Sequence, residues 1–234
     1  MNQGMMKGHV NAGCLLFMPE HSPDQVQRDL VDALLYTQLA ASKKHSRFES
    51  HLQWRQTWVA ALIRFGGALG HHEVFNLPSN DLPNGMVWQW IEQHLPSFIP
   101  ARFVEAMEET IWHSILLQPR QQAIEMLTRQ AISTPHTPST ETRTVGLQFA
   151  VHHPSAGLCL IVLSFETRQT VGTDLLTTVL KREKIAGNVE LAFYSIDLIE
   201  QLYARFREQI GQALEHRRAA LICPLWEGED VRPN

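Results

Sequence analysis

The sequence predicts an α+β protein, a helical N-terminal region followed by a C-terminal α/β layer of a β-hairpin and then β-α-β-α with an edge strand. Three observations predict it. Apolar residues recur at helical spacing through much of Ser22 to Ala131, Thr144 to Phe165 reads as two apolar strands around a turn, and a Pro/Ser/Thr-rich stretch separates the two patterns. Residues 1–132 are therefore expected to form a mainly helical region, 133–142 a linker, 143–226 the α/β layer and 227–234 a frayed tail.

The first dozen residues show no periodic pattern, and Cys14 to Met18 (CLLFM), closed by Pro19, suits a small strand or a tucked-in arm. Ser22-Pro23-Asp24-Gln25 has the composition of a helix start: a capping hydroxyl, Pro at the first helical position, an acid at the positive end and Gln to complete a capping box. Val26, Leu30, Ala33, Leu34, Thr37 and Ala41 follow at helical spacing, with Lys43-Lys44-His45 complementing the carbonyl end. From Phe48 to Phe65 two periods compete. Phe48, Leu52, Val59, Leu62 and Ile63 make a helical stripe, whereas Leu52, Trp54, Trp58, Ala60 and Leu62 also fit period two. Length and the Gly66-Gly67 stop favour the helix.

Gly70 to Pro83 reads as a loop. Asn84 caps a short helix that Pro96 ends, a further helix runs to Leu117, and Pro119 starts a fifth on Ile124, Leu127 and Ala131. Ser133 to Thr142 (STPHTPSTET) has two prolines and no apolar side chain, the composition of an exposed spacer. Val145, Leu147, Phe149 and Val151 then alternate as in a strand with one covered face, and Leu158 to Phe165 is apolar on both, as in a central strand. Val171, Leu175, Leu176, Val179 and Leu180 spell a helix before the strand Val189 to Tyr194, which implies a parallel, right-handed crossover. One long helix from about Ser195 to Arg217 and an edge strand at Leu221 to Leu225 complete the reading.

Composition bounds the function. The chain has 234 residues, 44% of them hydrophobic and 19% charged, which excludes disorder as its dominant state. A net charge of −4 gives no global attraction to nucleic acid or anionic lipid, and no run approaches the 18 apolar residues of a membrane-spanning helix. Cys14, Cys159 and Cys223 make no CxxC pair, and two of them lie in apolar runs, as buried thiols in a reducing compartment would. Asn11-Ala12-Gly13-Cys14 has the look of a lipoprotein cleavage site, but the preceding ten residues lack the apolar core of a signal peptide. The expectation is a soluble, cytoplasmic protein whose partners include neither nucleic acid nor membrane.

Catalytic signatures are missing: no phosphate-binding loop, no GxSxG and no HExxH occurs. Histidine is the commonest neutral metal ligand, so His71, His72, Glu109, His113 and His152 are the candidates for a metal or acid–base site between the two halves. Adjacent histidines on extended backbone point oppositely, so each pair offers one easy ligand. Lys181-Arg182-Glu183-Lys184 and His216-Arg217-Arg218 sit where helix ends are expected and need no nucleic acid to explain them. The reading left with most weight is a non-catalytic cytoplasmic interaction or assembly protein of bacterial style, with another protein or a second copy of itself as partner and no cofactor. The alternative is a small-molecule or metal-dependent enzyme using the His/Glu set. Trp loading carries the interaction reading. In Met86-Val87-Trp88-Gln89-Trp90, Trp88 and Trp90 project about 200° apart on a helix, so Trp88, off the apolar stripe, and Trp54 are the interface candidates.

Overall fold

A strand apolar on both faces has to exclude water on both, and the architecture follows from meeting that demand along Leu158 to Phe165. The computed structural model describes residues 6–116, 121–133, 142–153 and 157–225. Seven strands form one mixed sheet: β1 (Met6–Asn11), β2 (Cys14–Pro19), β3 (Gly67–Pro78), β4 (Arg143–His153), β5 (Gly157–Thr167), β6 (Ile185–Leu198) and β7 (Ile222–Pro224). Their order is β3-β6-β5-β4-β2-β1-β7. All neighbours are antiparallel except β2 and β4, which run parallel with Cys14 beside Gln148.

Helices cover both faces. On one, α1 (Asp24–Lys44) and α2 (His51–Arg64) press Leu30, Leu34, Trp54, Trp58 and Leu62 onto Leu16, Leu160, Val162, Ala192 and Ile196. On the other, α3 (Val87–Gln93), α4 (Ala101–Leu116) and α5 (Gln121–Ala131) press Trp88, Trp90, Ile91, Met107 and Leu127 onto Phe17, Phe149, Ile161, Leu163 and Phe193. Three short helices, α6 (Glu200–Tyr203), α7 (Arg207–Leu214) and α8 (Arg218–Leu221), pack Tyr203, Ile210 and Leu214 against Ala33 and Leu35 of α1. The α+β expectation holds, and the helix over residues 51–64 wins over period two because Trp54, Trp58 and Leu62 share its buried side.

Four expectations for individual elements are corrected. Residues 70–83 are not a loop: most of them form β3, whose alternation is faint because an outer strand half-buries only Phe75 and Leu77. No parallel crossover joins β5 to β6; they are antiparallel neighbours, with Leu163 opposite Leu191. The stretch 171–180 is not helical. Asp174 accepts from the Gly172 amide through its carboxylate and from the Thr177 and Thr178 amides through its carbonyl, giving turns that drop Val171, Leu175, Leu176 and Leu180 into the core. Nor is 195–217 one helix. β6 continues to Leu198, opposite Gly67, and the chain then breaks into short helices around Tyr203. The capping box expected at Ser22 does not form, since Ser22 Oγ is buried and makes no hydrogen bond. The spacer falls outside the described residues except for its first and last positions.

Gly66 sits at the junction of α2, β3 and α6. Its φ of +106° places the absent Cβ 2.8 Å from the Tyr203 amide nitrogen. Gly66→Ala should therefore lower stability by about 3 kcal/mol, combining backbone strain with overpacking. Gly187 also has positive φ (+70°), but nothing lies within 4 Å of its missing Cβ. Gly187→Ala should cost only about 1 kcal/mol, from strain alone. Urea unfolding of the two variants checks the difference, and equal losses would mean that the close packing at Gly66 does not matter.

Candidate functional site

The sheet has two chemically different faces, and the difference is written in its alternation. Towards α3–α5 stand Val145, Leu147, Phe149 and Val151 of β4, Cys159, Ile161, Leu163 and Phe165 of β5, and Val189, Leu191 and Phe193 of β6. Every one of these is apolar and buried. The residues between them face α1 and α2: Gly146, Gln148 and Ala150 of β4, Leu160, Val162 and Ser164 of β5, and Glu190, Ala192 and Tyr194 of β6. This second face is smaller and more polar.

Polar groups collect on it. His51 and Arg55 lie on successive turns of α2 above Glu190, with His51 Nδ1 3.3 Å and Arg55 Nε 3.5 Å from Glu190 Oε1. The His51 ring, with the Arg55 charge adding to it, holds the Glu190 carboxyl below the usual carboxylate range against the opposing effect of burial. The Tyr194 phenol beside them is pushed up, mainly by burial. A second group surrounds Arg47, whose side chain is buried and stacks 4.5 Å over the Trp54 ring. Arg47 donates to the Gln130 carbonyl of α5 (3.0 Å) and to Gln38 Oε1 of α1 (2.7 Å), and Gln38 donates onward to the Asn11 carbonyl (3.0 Å). Burial lowers its guanidinium to about 10 and raises the nearby Cys14 thiol to about 12.

Two bidentate ion pairs tie α1 to the last helices. Arg207 grips Asp29 at 2.9 and 2.7 Å and also meets Glu200, while Arg218 grips Asp32 at 2.8 and 2.7 Å. Burial, followed by the Asp32 and Asp29 charges, raises the Tyr203 phenol between them. The cover of the apolar face is fastened differently. It presses apolar side chains on the sheet, with backbone pairs Gly85–Leu180 and Ile132–Val145 at its two ends.

The described residues among those singled out from the sequence do not converge. His71 stacks on Phe98 and His72 on Tyr194, on opposite faces of β3. His152 is on β4, separated from β3 by two strands and thus by about 14 Å. Its imidazole is held below its ordinary value, first by burial and then by His153. Glu109 is exposed on α4, and the His113 side chain lies outside the described residues. Among the described residues no three His, Cys, Asp or Glu side chains are placed to hold a metal ion. Trp88 packs on Phe149 with ring centroids 4.8 Å apart, and Trp54 lies between Trp58 and Arg47; both are buried within the chain. Sequence reasoning missed Glu190, Arg55, His51 and Arg47. The available signal was the polar residue inside an apolar strand, Glu190 in VELAFY and Gln148 in LQFAV.

No family model and no curated protein matches the chain. Among solved structures it is similar to a delta-endotoxin, at 12% identity over 81% of this chain and 82% of that chain, with a TM-score of 0.46. It is also similar to the activated Cyt2Ba monomer from Bacillus thuringiensis subsp. israelensis, at 12% identity over 81% of this chain and 98% of that one, with a TM-score of 0.42. The first of these is named as an endotoxin, and against the two the expectations of a cytoplasmic interaction or assembly protein, of a cytoplasmic location and of partners that exclude a membrane are corrected.

The Glu190 cluster has a pH signature. A carboxyl held low in the folded state stabilises it above the unfolded value, and that contribution is lost as pH falls through the folded value. The wild-type urea midpoint should therefore drop as pH is lowered below about 4.5, and part of that drop should vanish in Glu190→Gln. Parallel curves for the two proteins from pH 6 to pH 3 would show that Glu190 is not held low.

Proposed function

We propose that this chain acts on lipid bilayers by presenting the apolar face of its sheet. The observation that carries the reading is the alternation along the β4–β5–β6 meander. One face is wholly apolar from Val145 to Val151, from Cys159 to Phe165 and from Val189 to Phe193, while the other holds Gln148, Ser164 and Glu190. Membrane-inserted strands have this dyad pattern, with apolar side chains to the lipid and polar ones to the lumen. The seven-residue bands of β4 and β5 are about 23 Å long, close to the roughly 25 Å apolar belt of such strands.

The fastening of the covers supports the same reading. Hydrocarbon is about as apolar as the core-facing side chains of α3–α5, so among the described residues the polar tie that lipid would have to break there is the hydrogen bond from Arg47 to the Gln130 carbonyl. Removing α1 and α2 would instead leave Glu190 on the sheet without His51 and Arg55, and would part Asp29 and Asp32 of α1 from Arg207 and Arg218. The apolar face is thus the cheaper of the two to open. Among the described residues no helix is long and apolar enough to cross a membrane.

Ile132 and Val145 are paired across an antiparallel bridge that joins the end of the cover to β4, a spacing that suits a disulfide. The double variant Ile132→Cys, Val145→Cys should lock the cover when oxidised. Phosphatidylcholine vesicles loaded with a self-quenching dye provide the test. Wild type and the reduced variant should release dye, the oxidised variant at least tenfold more slowly, and reduction should restore release. No release by wild type at any dose, or equal release by the oxidised and reduced variants, overturns the reading.

A further inference from the structure

The two edges of the sheet are guarded unequally. β7 is three residues long and ends in Pro224, which has no amide hydrogen to offer a neighbour. Strands that short, and strands carrying proline, are how sheets ordinarily close an edge to other chains. β3 is twelve residues long and, among the described residues, has β6 as its one strand neighbour. Its single proline is the last residue, Pro78, and it contains neither Lys nor Arg. Its one register shift against β6 falls between Leu69 and His71; from His72 to Pro78 the pairing is unbroken. His71, His72, Glu73 and Val74 are all exposed, and Val74 and Leu69 rank among the exposed large apolar residues of the described chain, at 44% and 39%. Every second residue of this run therefore turns an amide and a carbonyl outward, with apolar side chains beside them.

We propose that the β3 edge pairs with the β3 edge of a second copy of the chain, continuing the sheet antiparallel across a two-fold axis. A second copy is the occupant that the edges select. The closed β7 edge offers no long run for a head-to-tail contact, so the long edge meets its own image, and an isologous contact stops at two. An axis perpendicular to the sheet keeps each face continuous, so only residues of the same face can lie opposite. Centring it on Val74 brings the two Val74 side chains together and sets each His72 opposite an Asn76. Main-chain hydrogen bonds supply the affinity in such strand additions, and the side chains set the register. The pairing uses neither Trp88 nor Trp54, and it stands whether or not the apolar face meets lipid.

Light scattering on the full chain tests it. Wild type at about 100 µM should show twice the 26.7 kDa chain mass, and Val74→Lys, which puts two like charges face to face, should return it to a single chain with unchanged circular dichroism and melting temperature. Under mild oxidation Val74→Cys should cross-link into a covalent dimer. Asn76→Cys, on the same face but displaced from the axis, should cross-link far less; the native cysteines are buried. A monomeric wild type, a Val74→Lys variant that remains dimeric, or equal cross-linking at positions 74 and 76 would each overturn the proposal.

Discussion

β5 carries Leu160 and Val162 on one face and Ile161 and Leu163 on the other, and exposing either set to water is unfavourable. The chain meets this by wrapping the sheet. From β2 it crosses one face as α1 and α2 to reach β3 at the far edge, then returns over the other face as α3–α5 to enter β4. The antiparallel meander β4–β5–β6 fills the gap left between β2 and β3. The two helical layers are thus long connections between distant strands, and the apolar centre they must hide determines their length and apolar faces.

The two wraps are built from different chemistry. Over the polar face, α1 and α2 are tied by charged groups in defined geometry, with Arg207 and Arg218 each bidentate on a carboxylate of α1 and Glu190 under His51 and Arg55. Such contacts are directional and lose much when displaced. Over the apolar face, contacts are mostly between hydrocarbon side chains and are not directional. Arg47 is where the two meet, since it reaches α1 through Gln38 and α5 through the Gln130 carbonyl. Gly13 leaves it the room, because a Cβ there would collide with its guanidinium.

Much of the fold was legible where the local pattern and the tertiary environment agree. α1 and the β4–β5 hairpin bury one clean stripe or a continuous apolar run, and their spacing alone locates them. β3 was not legible, because an edge strand with exposed His71 to Val74 carries almost no alternation. The stretch Val171 to Leu180 misled in the opposite sense: its apolar residues are buried at helix-like intervals, yet Asp174 organises turns instead. The order of strands was beyond reach, since nothing local tells Cys14 that it will lie beside Gln148. At the site, residue type draws attention to the histidines, yet His71, His72 and His152 lie apart. Glu190 and Arg47 are inconspicuous by residue type, one a single acid in an apolar strand and the other a cation just after a helix.

The slot occupied by β4–β5–β6 has a consequence for how the chain is made. Its walls, β2 and β3, are translated first, and the strands that fill it come later in the chain. Until the meander emerges, the β2 edge that will receive β4 and the β3 edge that will receive β6 stand open, and Leu16, Trp54 and Trp58 have no sheet to cover. A nascent chain of this topology spends most of its synthesis with unpaired edges and uncovered apolar surface. Its rate of maturation is governed by long-range closure, the slow regime of folding and the one most exposed to aggregation on the ribosome.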